Sequence, residues 1–86
     1  MKYTYHSINR MNTRGISKEM IEFTLNYGSI DGDAYVTNRK LLNKVIQHLT
    51  KQLALAKKLI DKGGVVVVTD NSSVITTYDY ESYKAY

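Results

Sequence analysis

The chain has no cysteine, no proline, no tryptophan and a single phenylalanine. Without cysteine it can form neither a disulfide nor a thiolate zinc site, which fits a reducing compartment. Its two histidines, His6 and His48, do not make a zinc signature on their own, and no metal or other cofactor is expected. No apolar run approaches the roughly 20 residues that a membrane helix needs. The opening Met1-Lys2-Tyr3-Thr4-Tyr5-His6 also lacks the apolar core of a signal peptide. A soluble, cytoplasmic protein without membrane partners is therefore expected. Glycine is sparse, and the pair Gly63-Gly64 is followed by no Lys-Ser or Lys-Thr, so a phosphate-cradling loop is excluded. No serine stands in a nucleophile elbow.

What the chain does have is ordinary globular composition, 43% hydrophobic and 23% charged over 86 residues, enough for one small domain with a modest core. A net charge of +4 and a pI near 9.3 bias it toward anionic partners such as nucleic acid or an acidic protein. Eight tyrosines serve core packing and half-wet binding surfaces alike.

Read in order, Lys2 to Tyr5 alternate as a short strand or extended arm. Thr4 is placed to cap a first helix that Gly15 ends in a left-handed conformation. Within it, at about 100° per residue, Ile8 and Met11 share one side, and His6, Arg10, Thr13 and Arg14 the opposite one. Ser17 caps a second helix, Lys18 to Tyr27, whose wide apolar arc predicts that it is mostly buried and which Gly28 stops. Residues 29 to 37 suit a broken strand or small hairpin around Asp31-Gly32. Asn38 caps a long helix from Arg39 to Lys62, ~36 Å if unbroken. Its apolar residues keep a spacing of three and four. Four valines at 65 to 68 read as a strand buried on both faces, pairing across Asp70 to Ser73 with Val74 to Tyr80. On that last strand Val74, Thr76, Tyr78 and Tyr80 fall on one face, and Ile75, Thr77 and Asp79 on the other. Residues 1–80 make the domain, and 81–86 a flexible tail.

These readings predict an α+β fold: two short N-terminal helices and one long helix packed on a small, mainly antiparallel sheet. The same order of elements carries a resemblance. His6, Arg10-Met11, Arg14-Gly15-Ile16 and Val-Ile-Thr-x-Tyr at residues 74 to 78 resemble the motifs of a family of small bacterial domains, largely of unknown function, that open on His-Ala-x-x-Arg-Met-x-x-Arg-Gly-Ile. Ser7 stands where that pattern has alanine. The family is similar to RelE/ParE-type toxins, in the barnase, EndoU, colicin and RelE group of metal-independent ribonucleases. Over nearly the whole chain, the resemblance implies a RelE-like fold, a nucleic-acid-facing sheet and an antitoxin partner.

Cleaving RNA without metal requires a base for the 2′-hydroxyl, cations for the charge on phosphorus and an acid for the leaving 5′-oxygen. Imidazole titrates near neutral pH, so His6 suits the base or the acid. Arg10, Arg14 and Arg39 suit the phosphate through the bidentate guanidinium fork, and Lys40 suits it as a point charge. Thr76 is placed to position substrate and Tyr78 to stack a base. The expected catalytic residues are thus His6, Arg10, Arg14 and Thr76, and the expected nucleic-acid-binding residues Arg39, Lys40 and Tyr78. Lys44, Lys51, Lys57, Lys58 and Lys62 read as a solvated helix face, with His48 on the surface beside Lys44 and Lys51.

The expected function is a RelE/ParE-like toxin-type domain that binds RNA and acts as a metal-independent endoribonuclease. The alternative is a non-catalytic interaction or regulatory module that forms a homodimer through the long helix, residues 41–60, where Leu41 and Leu55 lie off the main stripe.

Overall fold

Thr4 opens the first helix as the spacing requires: its Oγ1 accepts the Ser7 N–H at 3.1 Å, satisfying one of the donors that a helix start leaves free. In the computed structural model, which describes residues 2–84, this helix is α1, Tyr5–Arg14. Gly15, at φ 66°, turns the chain left-handed, and the Ile16 N–H donates to the Met11 carbonyl at 3.0 Å. Ser17 repeats the capping logic for α2, Lys18–Tyr27, its Oγ accepting the Met20 N–H at 3.1 Å, with Glu19 in the first turn favoured by the helix dipole. Residues 2–4 carry no regular structure, so the alternation at the start does not become a strand.

Gly28 ends α2 by a route the sequence does not suggest. Its backbone is extended (φ −69°, ψ 156°) rather than left-handed. A Cβ there would stand 2.5 Å from the Thr24 carbonyl oxygen and 3.0 Å from that of Val36. The glycine is needed for room between α2 and the strand that follows. That strand belongs to a hairpin, β1 (Ser29–Asp31) with β2 (Ala34–Val36), antiparallel and in the register Ser29↔Val36, Ile30↔Tyr35, Asp31↔Ala34. Gly32, at φ 60°, is the first central residue of its two-residue turn, as a II′ turn requires. Thr24 and Thr37 share a hydroxyl hydrogen bond at 3.2 Å, which ties α2 to the chain after β2.

Asn38 then caps α3, Arg39–Asp61, its Oδ1 accepting the Leu41 N–H at 2.9 Å. The helix is continuous over 23 residues, about 34 Å at 1.5 Å per residue. It closes on Gly63 and Gly64, whose N–H groups donate to Ile60 and Leu59 at 2.8 Å each, the paired bonds of a Schellman cap. β3 (Val65–Asp70) and β4 (Ser73–Asp79) form a second antiparallel hairpin. Asn71 and Ser72, at φ 47° and 69°, make its turn of type I′. The chain divides into two compact units, one ending at Val45 and the other beginning at Ile46.

The α+β class stands, but the strands form two separate two-stranded sheets instead of one. Three further expectations are corrected. The helix α2 is not mostly buried, since among the described residues no side chain is buried, and Met20 on its apolar arc is exposed. The valines are not covered on both faces: Val66 and Val68 are half-buried, Val65 and Val67 exposed. Residues 81–84 are not a flexible tail, because Tyr80–Lys84 form a last helical turn, α4, held by a 3.1 Å bond from the Tyr80 N–H to the Gly64 carbonyl. Residues 85 and 86 lie outside the described residues.

The faces of β4 also change. Val67 pairs with Thr77 and Val68 with Thr76, but Thr69 pairs with Val74, so a β-bulge makes Ile75 the extra residue. Neighbours on β3 point to opposite faces, and therefore Val74 and Thr76 do too. Thr76 and Tyr78 share a face with Val66 and Val68, while Val74 joins Val65, Val67 and Thr77.

Candidate functional site

His6, Arg10 and Arg14 recur every fourth residue along α1, so they lie in one line on consecutive turns, all three exposed. Both ends of that line are fixed by hydrogen bonds. Ser7 contributes more than its backbone: its Oγ donates to the Thr4 carbonyl at 2.8 Å, an interaction that alanine at this position cannot make. Thr13 Oγ1 donates to the Arg10 carbonyl at 3.1 Å, so the hydroxyl on this face is engaged by the helix itself. Ile8 and Met11 do point to the other side, Met11 half-buried and Ile8 42% exposed.

Arg39 and Lys40 open α3 in the same unit, both exposed, with no acidic residue in that first turn. A helix N-terminus already carries about half a positive charge, so the two cations and the dipole reinforce one another there. Chemically, the arginines of α1 offer bidentate donors to phosphate oxygens, and His6 offers an imidazole for proton transfer.

Thr76 and Tyr78 lie on β4, in the second unit, on the face of the hairpin that carries Val66 and Val68. The Tyr78 ring is engaged by Tyr83 of α4, with centroids 6.1 Å apart and planes tilted by 46°. Tyr78 remains 40% exposed. Among the described residues no group of three or more His, Asp or Glu is placed to hold a metal ion. Among the same described residues no helix is long and apolar enough to cross a membrane.

One feature of the first unit was not legible as a site. An open apolar groove of about 840 Å³ runs along α2, with Ile16, Met20, Phe23, Thr24, Tyr35 and Leu42 among its lining residues. Phe23 is supported from behind by Tyr27, their ring centroids 4.7 Å apart. The signal was the width of the apolar arc on α2, but an arc of that width reads as core unless the structure shows that nothing covers it.

Comparison with curated proteins and with solved structures finds no match. A family model does match, over residues 3–83, which takes in both units and every residue singled out above. The chain belongs to the family described as "Domain of unknown function (DUF4258)".

Proposed function

We propose that this chain is a RelE/ParE-like, RNA-binding toxin-type domain, and that α1 is where it meets and cleaves RNA. The observation that supports this reading is the line His6, Arg10, Arg14 on one exposed helix face, pinned at Thr4 and Gly15. Three such groups at four-residue spacing reach phosphates and a neighbouring hydroxyl together without any loop having to order first. The net charge of +4 and the cationic start of α3 add a long-range pull on a polyanion.

The reaction is transesterification. The 2′-oxygen bonds to phosphorus as its proton passes to the imidazole of His6; the phosphorus–5′-oxygen bond breaks, the 5′-oxygen takes a proton from water, the imidazolium returns its own to solvent, and a 2′,3′-cyclic phosphate remains. Arg10 and Arg14 neutralise the charge that builds on the non-bridging oxygens. No step calls on a metal.

Binding of a fluorescent single-stranded RNA, measured against salt, tests the first half. Arg10→Ala/Arg14→Ala weakens binding at least ~10-fold and flattens the log–log salt dependence by about 0.7 per lost phosphate contact. The second half is tested by His6→Ala, which abolishes cleavage and leaves both RNA affinity and the far-ultraviolet spectrum of the fold in place. Undiminished cleavage by that variant removes His6 from the chemistry. RNA binding by a parent that never cleaves reduces the domain to a binding module. Expression of the chain in bacteria, with and without the adjacent open reading frame, reads toxicity and its relief directly.

A further inference from the structure

Tyr3 and Tyr5 flank the Thr4 cap and are used differently. The Tyr3 ring is half-buried and takes the Lys18 ammonium over its face, 5.5 Å from the centroid. The Tyr5 ring is 89% exposed, more than any other large hydrophobic side chain among the described residues. It opens α1, one residue before His6, and its own unit covers almost none of it. Asn9 follows one turn later, also exposed. Ser7 and Thr13 turn their hydroxyls back onto backbone carbonyls. The Asn9 amide joins no such bond among the described residues, so its donor and its acceptor remain for another molecule.

These two side chains complete an order across the helix. At about 100° per residue, Tyr5 and Asn9 lie about 100° and about 60° to one side of His6, and Arg10 and Arg14 about 40° and about 80° to the other. His6 thus stands between a strip of ring and amide and a strip of guanidinium. A nucleotide has the same order of base, ribose and phosphate. With its phosphate on the arginines and its base on Tyr5, its ribose comes over His6. Along the axis, the four residues from His6 to Arg10, and again to Arg14, rise about 6 Å, close to the step between successive phosphates of a single strand. From Lys2 to Lys18 the chain carries two lysines, two arginines and no acidic residue, so the whole approach to this face attracts a polyanion.

We propose that Tyr5 and Asn9 recognise the base of the nucleotide whose 2′-hydroxyl His6 deprotonates, so that the substrate is single-stranded RNA with adenine on the 5′ side of the cut. This assignment rests on the RNA reading of α1. A protein ring stacks on a base that is splayed out and unpaired, which favours a single strand over a duplex. Stacking accepts every base, and the choice among them falls to the amide. The Oδ1 of Asn9 accepts from the 6-amino group of adenine while its Nδ2 donates to the neighbouring ring nitrogen, so both ends of the amide are matched.

Fluorescence anisotropy of a short labelled oligoadenylate, with 2′-fluorine in place of the hydroxyl so that it cannot be cut, tests the assignment on the full chain. Tyr5→Ala weakens binding at least ~5-fold with the salt slope unchanged, because a stacking contact releases no counterion. Tyr5→Phe, which keeps the ring, binds like the parent. Replacing adenine by purine, which lacks the 6-amino group, weakens the parent at least ~5-fold and leaves Asn9→Ala indifferent. An equal loss in both proteins overturns the role of Asn9 and the choice of adenine. A duplex held as tightly as the single strand, or full affinity in Tyr5→Ala, overturns the stacking. If in that case Arg10→Ala/Arg14→Ala still flattens the salt dependence, the RNA reading stands without this assignment. A parent that binds no RNA overturns both.

Discussion

At Gly28 the backbone of α2 and the backbone of β2 come within a methyl group's width of each other. Any side chain there meets two carbonyl oxygens rather than a flexible neighbour that can move aside. Gly28→Ala should therefore cost about 2 kcal/mol, in the range of overpacked sites. Gly15→Ala meets no atom within 4 Å and is opposed only by its positive φ, which costs about 1 kcal/mol. Urea midpoints of the two variants check the order, and a larger loss at Gly15 would mean that the approach at Gly28 relaxes. The contrast shows what the sequence could say. Both glycines read alike as helix stops, because a stop is a local property. The crowding at Gly28 depends on Val36, eight residues away, and no local pattern reports it.

The same division holds for whole elements. Caps were legible: Thr4, Ser17 and Asn38 each accept the N–H three residues on, since a helix start presents its free donors to the nearest side-chain oxygen. The β3–β4 hairpin was legible as a hairpin but not in its faces. Val74, Thr76 and Tyr78 alternate without a visible break, and only the cross-strand register shows that Ile75 is extra. α4 was missed because Tyr80-Glu81-Ser82-Tyr83-Lys84 is too short to show a helical period, and its hold on the hairpin comes from Gly64 and Tyr78. The turn itself allows a prediction. Ser72 sits at φ 69° in a position where glycine is preferred after asparagine. Ser72→Gly should raise stability by about 0.5–1 kcal/mol, seen as a higher thermal midpoint with the same hairpin register. An unchanged or lower midpoint would place the turn's strain elsewhere. Among the proposed site residues, the line on α1 was fully readable because it depends on helical spacing alone. The engagement of Tyr78 by Tyr83 was not, because it depends on the helix that the sequence concealed.

For the molecule as a whole, apolar periodicity tells which faces need cover and is silent about what supplies it. The arc of α2, the valines of β3 and the stripe of α3 all read as interior, and yet no described side chain is buried within the chain. A residue covered by its own chain and one covered by another chain obey the same pattern, because the water they avoid is the same. If the cover comes from a second copy, stability becomes a function of concentration. The thermal midpoint should then climb steadily as the protein is concentrated, by mass action between folded dimer and unfolded chains. A midpoint that holds constant over a hundredfold dilution would place the cover within one chain.

The two hairpins carry a consequence for time as well as for architecture. Both sheets pair strands that are neighbours in sequence, each across a two-residue turn. Such pairings close small loops, and elements of this kind form in microseconds. Nothing in the sheets waits for distant parts of the chain to find each other. Refolding should therefore show a fast phase in which both hairpins form, and its rate should not change with protein concentration.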